Sequence, residues 1–207
     1  MTDTALLDRL RAVRVVPVVR THSAAHAATG IGWLRAAGLT VFEVTMTIPD
    51  APALIRDLAR DPALLVGAGT VPDAATAQAC LVAGARFIVA PWVDPALVAP
   101  CREAGALLML GAVTPTEVRA ARAAGADVVK IFPAASAGGP GHIKALASVF
   151  PGVPFCPTGG VEPGNVAAYL AAGAAFVGMG GNLVDEKRIA AGDRAAIMAA
   201  AQQVLGG

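Results

Sequence analysis

Residues 123–132, AAGADVVKIF, decide the fold. The glycine suits a helix end in the left-handed conformation, and the apolar run after it suits a short strand buried on both faces. The same phrase recurs as AAGLTVFEV (36–44), VAGARFIVA (82–90), EAGALLML (103–110) and AAGAAFVGMG (171–180). The five glycines, Gly38, Gly84, Gly105, Gly125 and Gly173, are spaced 46, 21, 20 and 48 residues apart. The two long gaps divide into 23 and 23, and into 27 and 21, if further turns lie at Asp61 and Gly152. A unit of that length holds one strand and one helix, and is too short for a propeller blade.

Working outward, this period predicts eight buried strands: 15–20, 40–46, 64–69, 87–91, 107–112, 128–133, 155–159 and 175–180. Helix-start signals fall between them. Asp94-Pro95 is a cap followed by proline, Thr114-Pro115-Thr116-Glu117 has capping-box spacing, and Asp50 precedes a helical stretch. A short helix near residues 2–12 is expected to cover the barrel floor. Strict alternation implies parallel strands with helices outside, and eight units close into a (β/α)8 TIM barrel. An open doubly wound sheet is the competitor, but no early G-x-G-x-x-G marks a dinucleotide switch point. The expectation is one barrel domain over residues 1–207.

Composition narrows the function classes. Of 207 residues, 56% are hydrophobic and 15% charged, which excludes intrinsic disorder. Sixteen Lys+Arg against fifteen Asp+Glu leave a formal net charge of +1, so nothing general attracts nucleic acid or an anionic membrane. The three cysteines, Cys80, Cys101 and Cys156, lack metal-type spacing and read as small apolar fillers in a reducing cytoplasm. The longest uncharged stretch, 163–184, is interrupted by Pro163, Asn165, Asn182 and five glycines. It reads as a short helix, a glycine stop and a buried strand rather than a membrane span. The N-terminus carries acidic residues and no long apolar run, so it is no secretory signal, and a soluble cytoplasmic protein is expected.

Three predicted strand residues carry formal charge: Arg20, at the C-terminal end of its strand, and Glu43 and Lys130, near the middle of theirs. In a (β/α)8 barrel the C-terminal end of the strands carries the active site. Lys130, one of three lysines, is flanked by Val128, Val129, Ile131 and Phe132. Snorkelling to the surface serves badly there, and burial favours the free amine that attack on a carbonyl requires. Glu43 suits either an ion pair with Lys130 or an arginine, or proton transfer beside a Schiff base. Arg20 ends its strand at the mouth, where it suits a carboxylate. The loops 157–160 (PTGG) and 178–182 (GMGGN) follow strands seven and eight, where barrels commonly hold phosphate on backbone N–H groups. In GAGT (67–70), Gly69 permits close approach of the chain and Thr70 offers a hydroxyl. His22 and His26 have i, i+4 spacing but lack the glutamate of a zincin, and read as an ordinary helical pair; Trp33 and Trp92 read as packing residues.

The motifs EVTMTIPDA, VGAGTV, VAPWVDP, VKIFPA, CPTGGV and GMGGNLV stand in this order along the chain. Together they resemble the bacterial 2-keto-3-deoxy-6-phosphogluconate aldolases, a class I group that includes bifunctional 4-hydroxy-2-oxoglutarate aldolases. The resemblance spans residues 15–184. It implies Lys130 as the imine-forming lysine and Glu43 as the general acid/base. It implies contacts to the keto-acid end from Arg20 and Thr70, a pocket lined by Pro91 and Phe132, and a phosphate cradle of Thr158, Gly159, Gly160, Gly180, Gly181 and Asn182. It also implies a homotrimer that acts on a small 2-keto acid without metal or cofactor.

Two departures bear on substrate. Where one branch has an arginine after E-V-T-L, this chain has Thr47, so carboxylate recognition leans on Arg20 and Thr70. Where many members have serine after the last glycines, it has Asn182. The segment ASAGGPGHIKAL resembles the galactonate-pathway aldolases, so a 2-keto-3-deoxy-6-phosphogalactonate substrate is an alternative, as is 4-hydroxy-2-oxoglutarate. Remoter readings are a metal-dependent aldolase or lyase, and a non-catalytic phosphate-binding barrel.

Overall fold

A computed structural model describes residues 4–206. Eight strands are laid down in chain order: β1 Val15–Val19, β2 Val41–Thr45, β3 Leu65–Gly69, β4 Phe87–Ala90, β5 Leu107–Ala112, β6 Val128–Ile131, β7 Phe155–Pro157 and β8 Val177–Met179. All pair in parallel, in the order β7-β6-β5-β4-β3-β2-β1-β8. Bridges joining Phe155 to Ala174 and Thr158 to Gly178 bring β7 and β8 together, so the eight strands form a nearly closed (β/α)8 barrel. Each strand lies within three residues of its expected bounds.

The helices are α1 Thr4–Val13, α2 Ala24–Ala36, α3 Ala51–Ala59, α4 Ala74–Val82, α5 Val98–Glu103, α6 Pro115–Ala124, α7 Gly139–Val149, α8 Val166–Ala171, α9 Glu186–Ala190 and α10 Arg194–Leu205. Local chemistry sets several starts. Thr114 accepts from the Glu117 N–H while Glu117 reaches back to the Thr114 N–H, closing the capping box of α6. Asp94 caps a 3-10 turn, Pro95–Leu97, that leads into α5. Asp50 precedes α3 as expected; its backbone is left-handed and its side chain makes no capping hydrogen bond. The five repeat glycines all have positive φ, from 63° at Gly105 to 111° at Gly125, a region where a Cβ is strained. Residues 163–184 hold a 3-10 turn, α8, the Gly173 stop and β8, and among the described residues no helix is long and apolar enough to cross a membrane.

Two apolar layers hold the barrel. One lies between the strands and the surrounding helices. The other fills the lower interior, where Val16, Val41, Leu65, Phe87, Leu107, Val128 and Phe176 meet Leu6 and Leu10 of α1. That helix plugs the floor as expected, although residues 2 and 3 of its expected span lie outside the described residues. Gly67 pairs with Phe87, and a Cβ on Gly67 would lie 2.1 Å from the Phe87 ring. Burying such a ring contributes roughly 1.5–3 kcal/mol. With the lower barrel filled by hydrocarbon, polar inward-facing side chains are confined to the upper, C-terminal half.

Candidate active site

Glu43 is central in β2 and Lys130 is the third residue of β6; alternation turns both into the barrel one layer above the apolar floor. Their relative exposures are 4% and 5%. Lys130 Nζ donates to Glu43 Oε1 at 3.3 Å, so each buried charge faces the other. Glu43 has its place because Gly69 has no side chain: a Cβ there would fall within the Glu43 carboxyl group. Lys130 pairs in register with Gly111 on one side and Cys156 on the other. The Phe132 ring centroid lies 5.8 Å from Nζ, a cation–π distance.

Above this pair opens a cavity of about 390 Å³. Its wall contains Arg20, Thr70, Pro91, Lys130, Phe132, Thr158, Gly159, Gly160, Gly180, Gly181 and Asn182, every binding residue singled out in the sequence. Val18 and Val161 also line it, apolar residues that carry no chemical mark in the sequence. Arg20, just past β1, donates from Nη2 to the Thr70 hydroxyl at 3.0 Å, and Thr70 holds a φ of 56° at the end of β3. Opposite them, Gly159 and Gly160 have φ of 90° and 76°. The carbonyls of Thr158 and Gly159 accept from the N–H groups of Ala134 and Ala135, at 2.8 and 3.0 Å. Among the described residues, the N–H groups of Gly159, Gly160, Gly181 and Asn182 donate to no other protein group. The Asn182 side chain instead joins the two glycine loops, donating from Nδ2 to the Val161 carbonyl at 2.9 Å.

Thr47 is tied off locally. Its hydroxyl lies 2.7 Å from that of Thr45, which donates to the Val19 carbonyl at 3.0 Å. His22 and His26 are not a helical pair, since Ser23 caps α2 and His22 lies before the cap. Both imidazoles meet Glu186, and among the described residues no group of three His, Cys, Asp or Glu side chains is arranged to hold a metal ion. Trp33 is partly buried against the core; Trp92, 44% exposed, lines a surface cleft with Phe132, which is 40% exposed. Burial pushes the thiols up, Cys80 to about 11, Cys101 and Cys156 to about 12, so the cysteines are apolar fillers and not nucleophiles.

Known proteins resemble this chain in sequence and in overall fold. A model of the KDPG and KHG aldolase family matches residues 6–200. The 2-dehydro-3-deoxy-phosphogluconate aldolase of Treponema pallidum is 36% identical over 203 residues, covering 97% of this chain and 96% of that protein. The KHG/KDPG aldolase of Shigella flexneri is 34% identical over 194 residues, 93% of this chain and 91% of that one. The crystal structure of KDPG aldolase from Legionella pneumophila, with pyruvate captured as a covalent carbinolamine, superposes with a TM-score of 0.83. It shares 33% identity and covers 94% of this chain and 97% of its own.

Proposed function

The chain belongs to the KDPG and KHG aldolase family, and from that premise we propose that it cleaves 2-keto-3-deoxy-6-phosphogluconate to pyruvate and glyceraldehyde 3-phosphate through a Schiff base on Lys130. The observation that carries the reading is the buried amine of Lys130, 3.3 Å from the Glu43 carboxylate, at the base of a cavity open to solvent.

Lys130 attacks the C2 ketone as a free amine, and Glu43 is placed to take the proton the amine must lose. Glu43 returns that proton to the carbinolamine hydroxyl, which leaves as water to give an iminium, whose positive nitrogen draws electrons from the C3–C4 bond. Glu43, directly or through one water, removes the C4 hydroxyl proton. The C3–C4 bond breaks, its electron pair forms an enamine, and the aldehyde leaves. Protonation at C3 and hydrolysis of the imine return pyruvate and free Lys130. The iminium performs the electron withdrawal that a Lewis acid supplies in metal-dependent aldolases.

Arg20, oriented by Thr70, holds the keto-acid carboxylate. The N–H groups of Gly159, Gly160, Gly181 and Asn182, with the Thr158 hydroxyl, hold the phosphate; Asn182 contributes its backbone, because its amide is engaged with Val161. Such neutral donors also accept a carboxylate, which supports 4-hydroxy-2-oxoglutarate as a second substrate. The reading extends to a cytoplasmic homotrimer serving the Entner–Doudoroff route, both carried by the family resemblance. The test compares pyruvate release from the gluconate and galactonate phosphates and from 4-hydroxy-2-oxoglutarate, with chelator present. Fastest release from the gluconate phosphate is expected. Release from none of the three, or activity abolished by the chelator, overturns the reading.

A further inference from the structure

One carboxylate outside the cavity joins the two segments that carry its opposite ends. Glu186 opens α9, four residues after Asn182. Its Oε1 accepts from the His22 backbone N–H at 2.8 Å and from His26 Nδ1 at 2.9 Å, and its Oε2 accepts from His22 Nδ1 at 2.6 Å. These partners are 164 and 160 residues distant in the chain, and meet because β1 and β8 are neighbours in the barrel.

Both sides of this clamp are anchored. Ser23 accepts from the His26 N–H at 3.1 Å, and Thr21 donates to the Ser23 carbonyl at 2.8 Å. Across from them, the Gly180 carbonyl accepts from the N–H groups of Leu183 and Val184, both at 2.8 Å. Asp185 caps α9 through the Lys187 and Arg188 N–H groups. Ile189 of α9 packs where a Cβ on Gly30 of α2 would stand, which brings the two helices close. Arg20 lies two residues before His22 and shares a surface cleft with His26, Lys187 and Glu186. Arg188 is turned toward Asp185 and Asp193. The bonds from His26 and His22 hold the Glu186 carboxyl well below the usual carboxylate range, at about 2, so the acceptor is ionised throughout the working range.

We infer that Glu186 is a positioning residue: by tying residues 22–26 to the loop after β8, it holds Arg20 over Thr70 in register with the glycine cradle. This rests on the reading of Arg20 as the carboxylate-binding residue. The geometry does not need charged imidazoles, since a neutral ring protonated at Nδ1 supplies each bond. Glu186 touches no reacting atom; its effect is on how well Arg20 is placed before substrate arrives.

The test is a double-mutant cycle on the full chain, using Glu186→Ala, Arg20→Ala and the pair, with KM and kcat measured on the preferred keto acid and thermal unfolding run in parallel. Glu186→Ala is expected to raise KM about fivefold to twentyfold, part of what a charge-assisted hydrogen bond contributes, with kcat changed less than about twofold. In the Arg20→Ala background the same change is expected to add less than about twofold, since there is no guanidinium left to place. Glu186→Gln, whose carbonyl still accepts, is expected to recover part of the loss. An unchanged KM in Glu186→Ala while Arg20→Ala raises it, or an equal rise in both backgrounds, overturns the clamp alone. A lowered unfolding temperature with unaltered kinetics does the same. Unchanged KM in Arg20→Ala removes the arginine from the site and overturns the reading beneath it as well.

Discussion

Lys130 Nζ and Glu43 Oε1 lie 3.3 Å apart, although 87 residues separate them in the chain and four strand pairings separate β2 from β6 around the barrel. The two side chains reach across the interior. They are the only acid and base of the described residues that form an ion pair with both side chains nearly excluded from solvent, at 6% and 5% exposure. Everything assigned to the site depends on that crossing.

Replacing the carboxylate isolates its chemical role. Glu43→Gln keeps the shape and one acceptor but cannot take a proton, so kcat is expected to fall about 10²–10⁴-fold. Imine formation should persist, more slowly, because the amine is retained. Single-turnover assays that follow imine formation and bond cleavage separately check this.

Gly69 is expected to be intolerant of any side chain. In Gly69→Ala the new methyl would overlap the Glu43 carboxyl, which must swing away from Lys130. Overpacking of this kind costs about 1–3 kcal/mol of stability, yet the loss in kcat should exceed tenfold, roughly what 1.4 kcal/mol in the barrier represents. Unfolding curves and turnover measured on one preparation separate the two effects.

These two positions also show what could be read from the chain beforehand. Glu43 and Lys130 stood out because a charge in a strand buried on both faces conflicts with its neighbours, and Gly69 was marked for close approach, which the Glu43 side chain now accounts for. The helix–glycine–strand period was legible because each unit must bury the same kind of strand and stop the same kind of helix. Asp50 marks the start of α3 as expected, although in the left-handed region it makes no side-chain cap, a feature without a composition signal. His22 and His26 misled: their spacing reported helix periodicity, whereas Ser23 caps between them and a carboxylate 160 residues away gathers them. Contacts made by barrel closure leave no local trace.

Arg20 gives a binding prediction. Arg20→Ala is expected to raise KM for the keto acid about tenfold to a hundredfold, as for loss of a hydrogen bond to a charged group, with a smaller effect on kcat. Arg20→Lys should recover little, since an ammonium lacks the planar fork. Substrate titration of the three proteins checks both.

The thiols supply a pH prediction. Burial raises Cys80 to about 11 and Cys101 and Cys156 to about 12, so at pH 8 all three remain protonated in the folded protein. Disulfide-exchange reagents are expected to label none of them in the native state and all three after denaturation. Because the folded values lie above the unfolded thiol value, the associated stability is complete below that value and is lost as pH rises through the alkaline range. Denaturation midpoints should therefore decline above about pH 9, less so in Cys156→Ala.

The central claim is that Lys130 forms the covalent bond to substrate. Incubating the protein with pyruvate and borohydride, then digesting it and locating the modified peptide by mass spectrometry, tests that claim directly. The account predicts one reduced pyruvyl adduct, on Lys130, with activity lost in proportion to labelling. An unlabelled protein, or an adduct on Lys144 or Lys187, would contradict it.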